Sequence, residues 1–358
     1  MKKKFFPTMA VVLLILTIIV SGCGQKPGPK ELLNGAYDKS FEMESYSFDG
    51  NLNFSLNVPT EVIESELETA MIAGMLQNIN MNISGVYQHN PVKIEMILDL
   101  EIPGDMSFNV NLPVVIEEER TLVKVPNIPF IPLPEEVKGK FMEFNYNELA
   151  EMSDEEEFNF EVLQKQNELI KEMSRIIFNH YDEEEYFTLL EESQFPDGAD
   201  VTEVVEIKIT DENFEKVVLT FVDNVFPELV DLLSSPKWAE YKHMEPGEPE
   251  KLKEDLVNKR SDIVSFLQDD RNTFKVNDLT IQNGINKDNY ISYQSVQLDA
   301  DAIIEGLVGN FLIDLSLSTN HINEDPNFTV EVPIENIINV IEYEEIINST
   351  YGDFEFED

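Results

Sequence analysis

The side chain best suited to covalent chemistry is the single cysteine, Cys23, which follows Val20, Ser21 and Gly22. A lone thiol has no partner for a disulfide, so its nucleophilicity is available for modification. The four histidines, His89, His180, His243 and His321, fall in no H-E-x-x-H or H-x-H pattern, and a zinc site is not expected. His180 precedes Tyr181-Asp182-Glu183-Glu184-Glu185, a set of oxygens suited to a hard cation. The Gly-bearing loop that would wrap calcium is missing, and the run reads as a solvated helix end. Asp299 and Asp301 are too sparse for a cation cage. Val308-Gly309-Asn310 lacks the serine of a nucleophile elbow, and no Gly-rich run could cradle a phosphate. With 70 Asp and Glu in the chain, some carboxylates will always lie close together, so a carboxylate pair is no sign of glycoside hydrolysis. No catalytic residue, metal or cofactor is expected.

The net charge of −45 disfavours polyanionic partners, which argues against nucleic-acid binding and against docking on anionic headgroups through a basic patch. The densest acidic runs, residues 154–157 and 182–185, read as solvated faces, with cation binding as the sharper alternative. Hydrophobic residues make up 42% of the chain and include 23 Phe, too many for a disordered acidic tail, so the body should fold.

Lys2, Lys3 and Lys4 form a basic start, and residues 9–20 an apolar run shorter than the about 20 residues a membrane-spanning helix needs. Followed by Val20-Ser21-Gly22-Cys23, the segment resembles the lipobox of bacterial lipoproteins. That resemblance implies cleavage after residue 22, a diacylglyceryl anchor on Cys23, and a place on the extracytoplasmic face of a cell membrane. Two acyl chains anchor stably where one does so marginally. Residues 23–30 then read as a tether.

Behind the tether, residues 30–41 carry apolar side chains at helical spacing. The period next changes to two: Tyr46, Phe48, Gly50, Leu52, Phe54, Leu56 and Val58 alternate with polar residues in a long strand. Residues 60–76 return to helical spacing. Strands are expected at 79–87, 92–102, 106–116, 121–125 and 140–146, with a Pro-rich edge segment at 126–134. A helix over 159–178, a strand at 201–209, and helices over 210–233 and 250–267 follow. Further strands are expected at 274–281, 290–298, 307–317 and 328–332, about eleven in all. Helix-plus-meander units fill 30–146 and 155–333, and residues 341–358 read as an acidic tail. The class is α+β: an antiparallel sheet with amphipathic helices, in one domain over 31–340.

The opening helix, Ser45-Tyr46-Ser47-Phe48-Asp49-Gly50 and the meander after it suggest a family. So do Lys124-Val125-Pro126-Asn127 leading to Gly139-Lys140-Phe141-Met142-Glu143-Phe144, and Ile209-Thr210-Asp211-Glu212-Asn213-Phe214. In this organisation the body resembles the half-barrel lipoproteins of the LolA and LppX groups and uncharacterised lipoproteins of Gram-positive bacteria. The resemblance implies one curved sheet wrapped round helices, with an apolar hollow able to take an acyl chain. Phe48, Leu52, Phe54, Leu56, Met96 and Phe108 are the side chains expected to line it. The expected function is non-enzymatic binding of a hydrophobic or amphipathic, lipid-like ligand. The alternative is a cell-surface structural or interaction module with a filled core and an acidic face turned to a partner or to cations.

Overall fold

A computed structural model describes residues 27–57, 78–102, 108–127, 133–153, 161–241, 247–269, 273–304 and 307–351. Its centre is one curved, unclosed, mostly antiparallel sheet of twelve strands. In chain order these are β1 (Ser45–Asn57), β2 (Ile79–Gln88), β3 (Lys93–Ile102), β4 (Phe108–Glu117), β5 (Arg120–Lys124), β6 (Phe141–Asn145), β7 (Phe187–Leu189), β8 (Glu203–Thr210), β9 (Thr273–Ile285), β10 (Ile291–Ile304), β11 (Leu307–Asn320) and β12 (Ile337–Asn339). Across the sheet the order is β12-β6-β5-β4-β3-β2-β1-β11-β10-β9-β8-β7. The two expected meanders are therefore halves of a single sheet, joined where β1 runs antiparallel to β11. Only β12 and β6 are parallel among the described strand pairs. The α+β half-barrel expected from the sequence is the observed class.

The helices are α1 (Pro29–Ser40), α2 (Tyr146–Ser153), α3 (Glu161–His180), the short α4 (Glu183–Tyr186), α5 (Asp211–Thr220), α6 (Phe226–Leu233), α7 (Glu248–Leu267) and α8 (Val340–Tyr351). Pro29 opens α1, where a missing N–H costs nothing. Leu33 and Ala36 on its inner stripe are fully buried against Tyr186, Phe187, Val205, Ile285 and Ile291. Helix α5 starts at a reciprocal cap between Thr210 and Asn213. The π-turn Phe221–Val225 joins α5 to α6. Pro227 explains it: this residue has no N–H to give the carbonyl four residues back, and the wider turn absorbs that gap. Trp238 is 1% exposed and donates its indole N–H to Glu172 of α3 at 3.1 Å, anchoring the segment after α6 against that helix.

Because neighbouring residues in a strand point to opposite faces, the register divides the core in two. Val205, Ile207, Ile209 and Ile285 lie on the face that α1 covers. At the other end of the sheet, Val115, Leu122 and Phe141 form a second cluster under Val330, Val332 and Ile337. Val115 pairs with Glu95 in the row opposite in phase to Met96 and Val114, so this cluster lies on the other face. After β11 the chain thus crosses the back of the sheet as an extended strap. Glu95, 3% exposed, fixes it by accepting the backbone N–H groups of Thr329 at 2.6 Å and Val330 at 2.9 Å.

Several expectations need correction. Residues 328–332 are extended but not a strand; the N–H groups of Thr329 and Val330 go to a side chain rather than to a ladder. The acidic tail expected from residue 341 begins instead as α8, continuous with β12. Residue 146 leaves the strand expected at 140–146 and opens α2. The short strands β7 and β12 were not expected. The signal, the lipobox residues Val20, Ser21 and Gly22, Cys23, and the helix expected over 60–76 lie outside the described residues.

Candidate functional site

Strands β1, β2, β3, β10 and β11 turn an alternating apolar set toward α1 and α3. Registered across it are Phe48, Gly85, Met96 and Val114, then Leu52 beside Met81 and Leu315. In a filled core such side chains would be inaccessible. Phe48, Leu52, Phe54, Leu56, Met81, Ile83 and Met96 are all only half-buried, whereas Ile285 and Val205 at the covered end are 0% exposed.

A cavity of about 580 Å³ borders Asn53, Asn80, Asp278, Gln297, Asp299 and Asp314, most of whose side chains point to the back of the sheet. Several of its polar groups are already engaged, with one another or with neighbours: Asn80 Nδ2 donates to Asn53 Oδ1 at 2.8 Å. Asn310 Nδ2 reaches Asp299 Oδ1 and Asp301 Oδ1 at 2.9 Å each, and Asn277 Nδ2 reaches Asp299 Oδ1 at 3.0 Å. The second cavity, about 530 Å³, lies on the helix-facing side and suits a ligand better, since apolar walls with a few convergent polar groups are the usual composition of such sites. Tyr37 and Ser40 of α1, Phe41 just after it, Asn167 and Ile170 of α3, and Tyr46, Phe48, Ile83, Tyr87, Met96, Gln294, Leu317 and Thr319 of the sheet line it, with Met43 and Ile291. Ile170 is 48% exposed, so the cavity reaches the surface beside α3.

Aromatic packing shapes the floor. Tyr46 and Tyr87 stack with centroids 4.9 Å apart, and Tyr46 also meets Phe48 at 6.2 Å. Gly85 leaves the space over which the Phe48 ring lies, since a Cβ there would overlap both that ring and the Glu95 carbonyl. At the α1 side three polar groups converge. Gln294 Nε2 lies 3.2 Å from Tyr37 Oη and 3.0 Å from Asn283 Oδ1, and Tyr37 Oη donates to Asn283 Oδ1 at 3.1 Å. Asn283 is 0% exposed, and its Nδ2 has no hydrogen-bond partner among the described residues. Burial pushes the Tyr37, Tyr46 and Tyr87 phenols above their ordinary value, with the Tyr87 hydroxyl adding to the effect on Tyr46 and the Gln294 bond opposing it on Tyr37. All three stay neutral at physiological pH.

Compared with known proteins, the chain matches no family model, and no curated protein matches its sequence.

Of the six side chains expected to line a hollow, Phe48 and Met96 do so. Leu52 and Leu56 share the sheet face but stand farther along β1, Phe54 borders the cavity of about 580 Å³, and Phe108 lies at the start of β4, outside both linings. Tyr37, Asn283 and Gln294 were missed. Their signal was present: Asn283 falls in phase with Leu279 and Ile281, and Gln294 in phase with Val296 and Leu298, so two polar residues occupy inward positions and pair directly across β9 and β10. The described histidines remain apart: His180 faces Glu228, His321 bonds Ser47 and His89 bonds Tyr87, while His243 lies outside the described residues. Among the described residues no group of three or more His, Cys, Asp or Glu is gathered to hold a metal ion.

Proposed function

We propose that this chain is an exported, lipid-anchored, non-enzymatic protein that binds a lipid-like amphiphile between α1, α3 and the central strands. The observation that carries this reading is the set of half-buried apolar side chains around a space of about 530 Å³, where a filled core would be closed. That volume falls within the roughly 300–1,000 Å³ of ordinary small-molecule sites. Removing an acyl chain from water contributes about 0.8 kcal/mol per buried methylene. The anchor rests on the sequence around Cys23, and α1, whose last turns line the cavity, begins directly after the tether.

The test uses the mature chain carrying Cys23→Ser, so that it bears no acyl chain of its own. After incubation with a bacterial lipid extract, native mass spectrometry should show a lipid adduct. Ile83→Trp, which fills the cavity, should lose it while keeping the native circular dichroism spectrum. A parent chain that stays bare would overturn the reading in favour of a surface module. For the anchor, Cys23→Ala in cells should abolish incorporation of labelled fatty acid and leave an unprocessed precursor.

A further inference from the structure

None of the fifteen described residues that line the helix-facing cavity carries a formal charge, in a chain where 27% of residues are charged. Two cations of α3 beyond Ile170 are engaged elsewhere: Lys171 lies 3.3 Å from Asp38, and Arg175 is paired to the same carboxylate. An ionised head drawn into this space would lose its hydration without meeting a counter-charge, which is costly in an apolar site. The net charge of −45 adds a long-range penalty for carboxylate or phosphate. The polar cluster at the α1 side offers neutral hydrogen-bonding groups instead. Tyr37 and Gln294 line the cavity, and Asn283 stands behind them with a buried amide N–H group that has no acceptor among the described residues.

We propose that the cavity selects amphiphiles with an uncharged hydrogen-bonding head, a hydroxyl or ester, read by Tyr37, Gln294 and Asn283, and rejects heads that carry a carboxylate or phosphate. The inference rests on the lipid-binding reading and adds the chemical class of the head. A hydroxyl or ester head would accept from the Asn283 amide N–H group, and a hydroxyl would also donate to the Gln294 carbonyl oxygen, since the Gln294 N–H groups and the Asn283 oxygen are already engaged. An alkyl chain attached to it would run over Phe48, Ile83 and Met96 toward Ile170.

The experiment is a competition on the mature Cys23→Ser chain, offered oleate, methyl oleate and monoolein at equal concentration, with native mass spectrometry reading each adduct. Monoolein should exceed oleate by at least about tenfold, the equivalent of about 1.4 kcal/mol. Tyr37→Phe should narrow the advantage of monoolein over methyl oleate several-fold. Gln294→Lys, which places a cation in the cavity, should raise the oleate adduct above that of the parent. Equal or greater binding of oleate by the parent would overturn the head selectivity while leaving lipid binding intact. Failure of all three probes to bind would overturn lipid binding itself. Should Gln294→Lys not fold, Tyr37→Phe decides, and an unchanged preference in that variant counts against the proposal.

Discussion

The ring of Phe48 on β1 lies across Gly85 on β2, occupying the space a side chain on Gly85 would need. The contact ties the shape of the cavity floor to a residue that has no side chain. Gly85→Ala should therefore cost about 1 to 3 kcal/mol, the usual penalty for overpacking. Because the obstruction includes the Glu95 carbonyl, rotation of Phe48 alone cannot relieve it. Urea unfolding measures the loss, and lipid retention should fall in parallel as Phe48 is pushed into the cavity.

The strap depends on Glu95. Glu95→Ala should remove the carboxylate that accepts from the N–H groups of Thr329 and Val330, at a cost of about 1 to 3 kcal/mol in all, because both residues keep some access to water. Hydrogen exchange should quicken at those two amides and at the β12 donors that the strap delivers to β6. Protection unchanged at Thr329 and Val330 would show that the latch does not hold the strap.

The long strands were legible in the sequence because a half-buried sheet imprints a period of two, and ten of the eleven expected strands are present. The strand that failed, residues 328–332, has the alternation of one, since Val330 and Val332 turn inward. Alternation reports which side chains are covered, and it is silent on whether the backbone bonds to a ladder or to a glutamate. Strands β7 and β12 have three residues each, too few for a period to show. At the site, Phe48 and Met96 were legible as inward apolar residues. Which part of the sheet is covered by helices and which lies over open space depends on packing between distant elements, and no local pattern records it.

Truncations should separate the two regimes. Ile285→Ala removes a 0% exposed side chain from the cluster beneath α1 and should cost about 2 to 5 kcal/mol. Phe54→Ala removes a larger but half-buried side chain and should cost clearly less than the about 3 to 5 kcal/mol of a buried Phe. Equal losses in urea unfolding would mean that the central strands are packed as tightly as the covered end.

Alkaline titration tests how well the tyrosines are shielded. Burial, with the neighbouring Glu185 charge, pushes the Tyr186 phenol up to about 12, and burial likewise raises Tyr37, Tyr46 and Tyr87. These groups ionise near 10.0 when unfolded, so their contribution is fully present below that pH and is lost as pH rises through the folded values. The urea midpoint should fall steeply in that window. Tyr186→Phe should flatten the fall and remove the last step in phenolate absorbance.

The pairing of β1 with β11 has a kinetic consequence. Ser47 and Asn320 lie side by side in the sheet although 273 positions separate them along the chain. Strand β1 cannot gain its second neighbour until the distant β11 has emerged. Closure of so large a loop brings entropy loss before any contact compensates it, and folding dominated by such distant pairings is slow. Until then the polar and apolar faces of β1 stand beside an unpaired edge able to recruit another chain. Mutual repulsion among nascent copies, each carrying a large excess of carboxylates, would keep those edges apart during the wait.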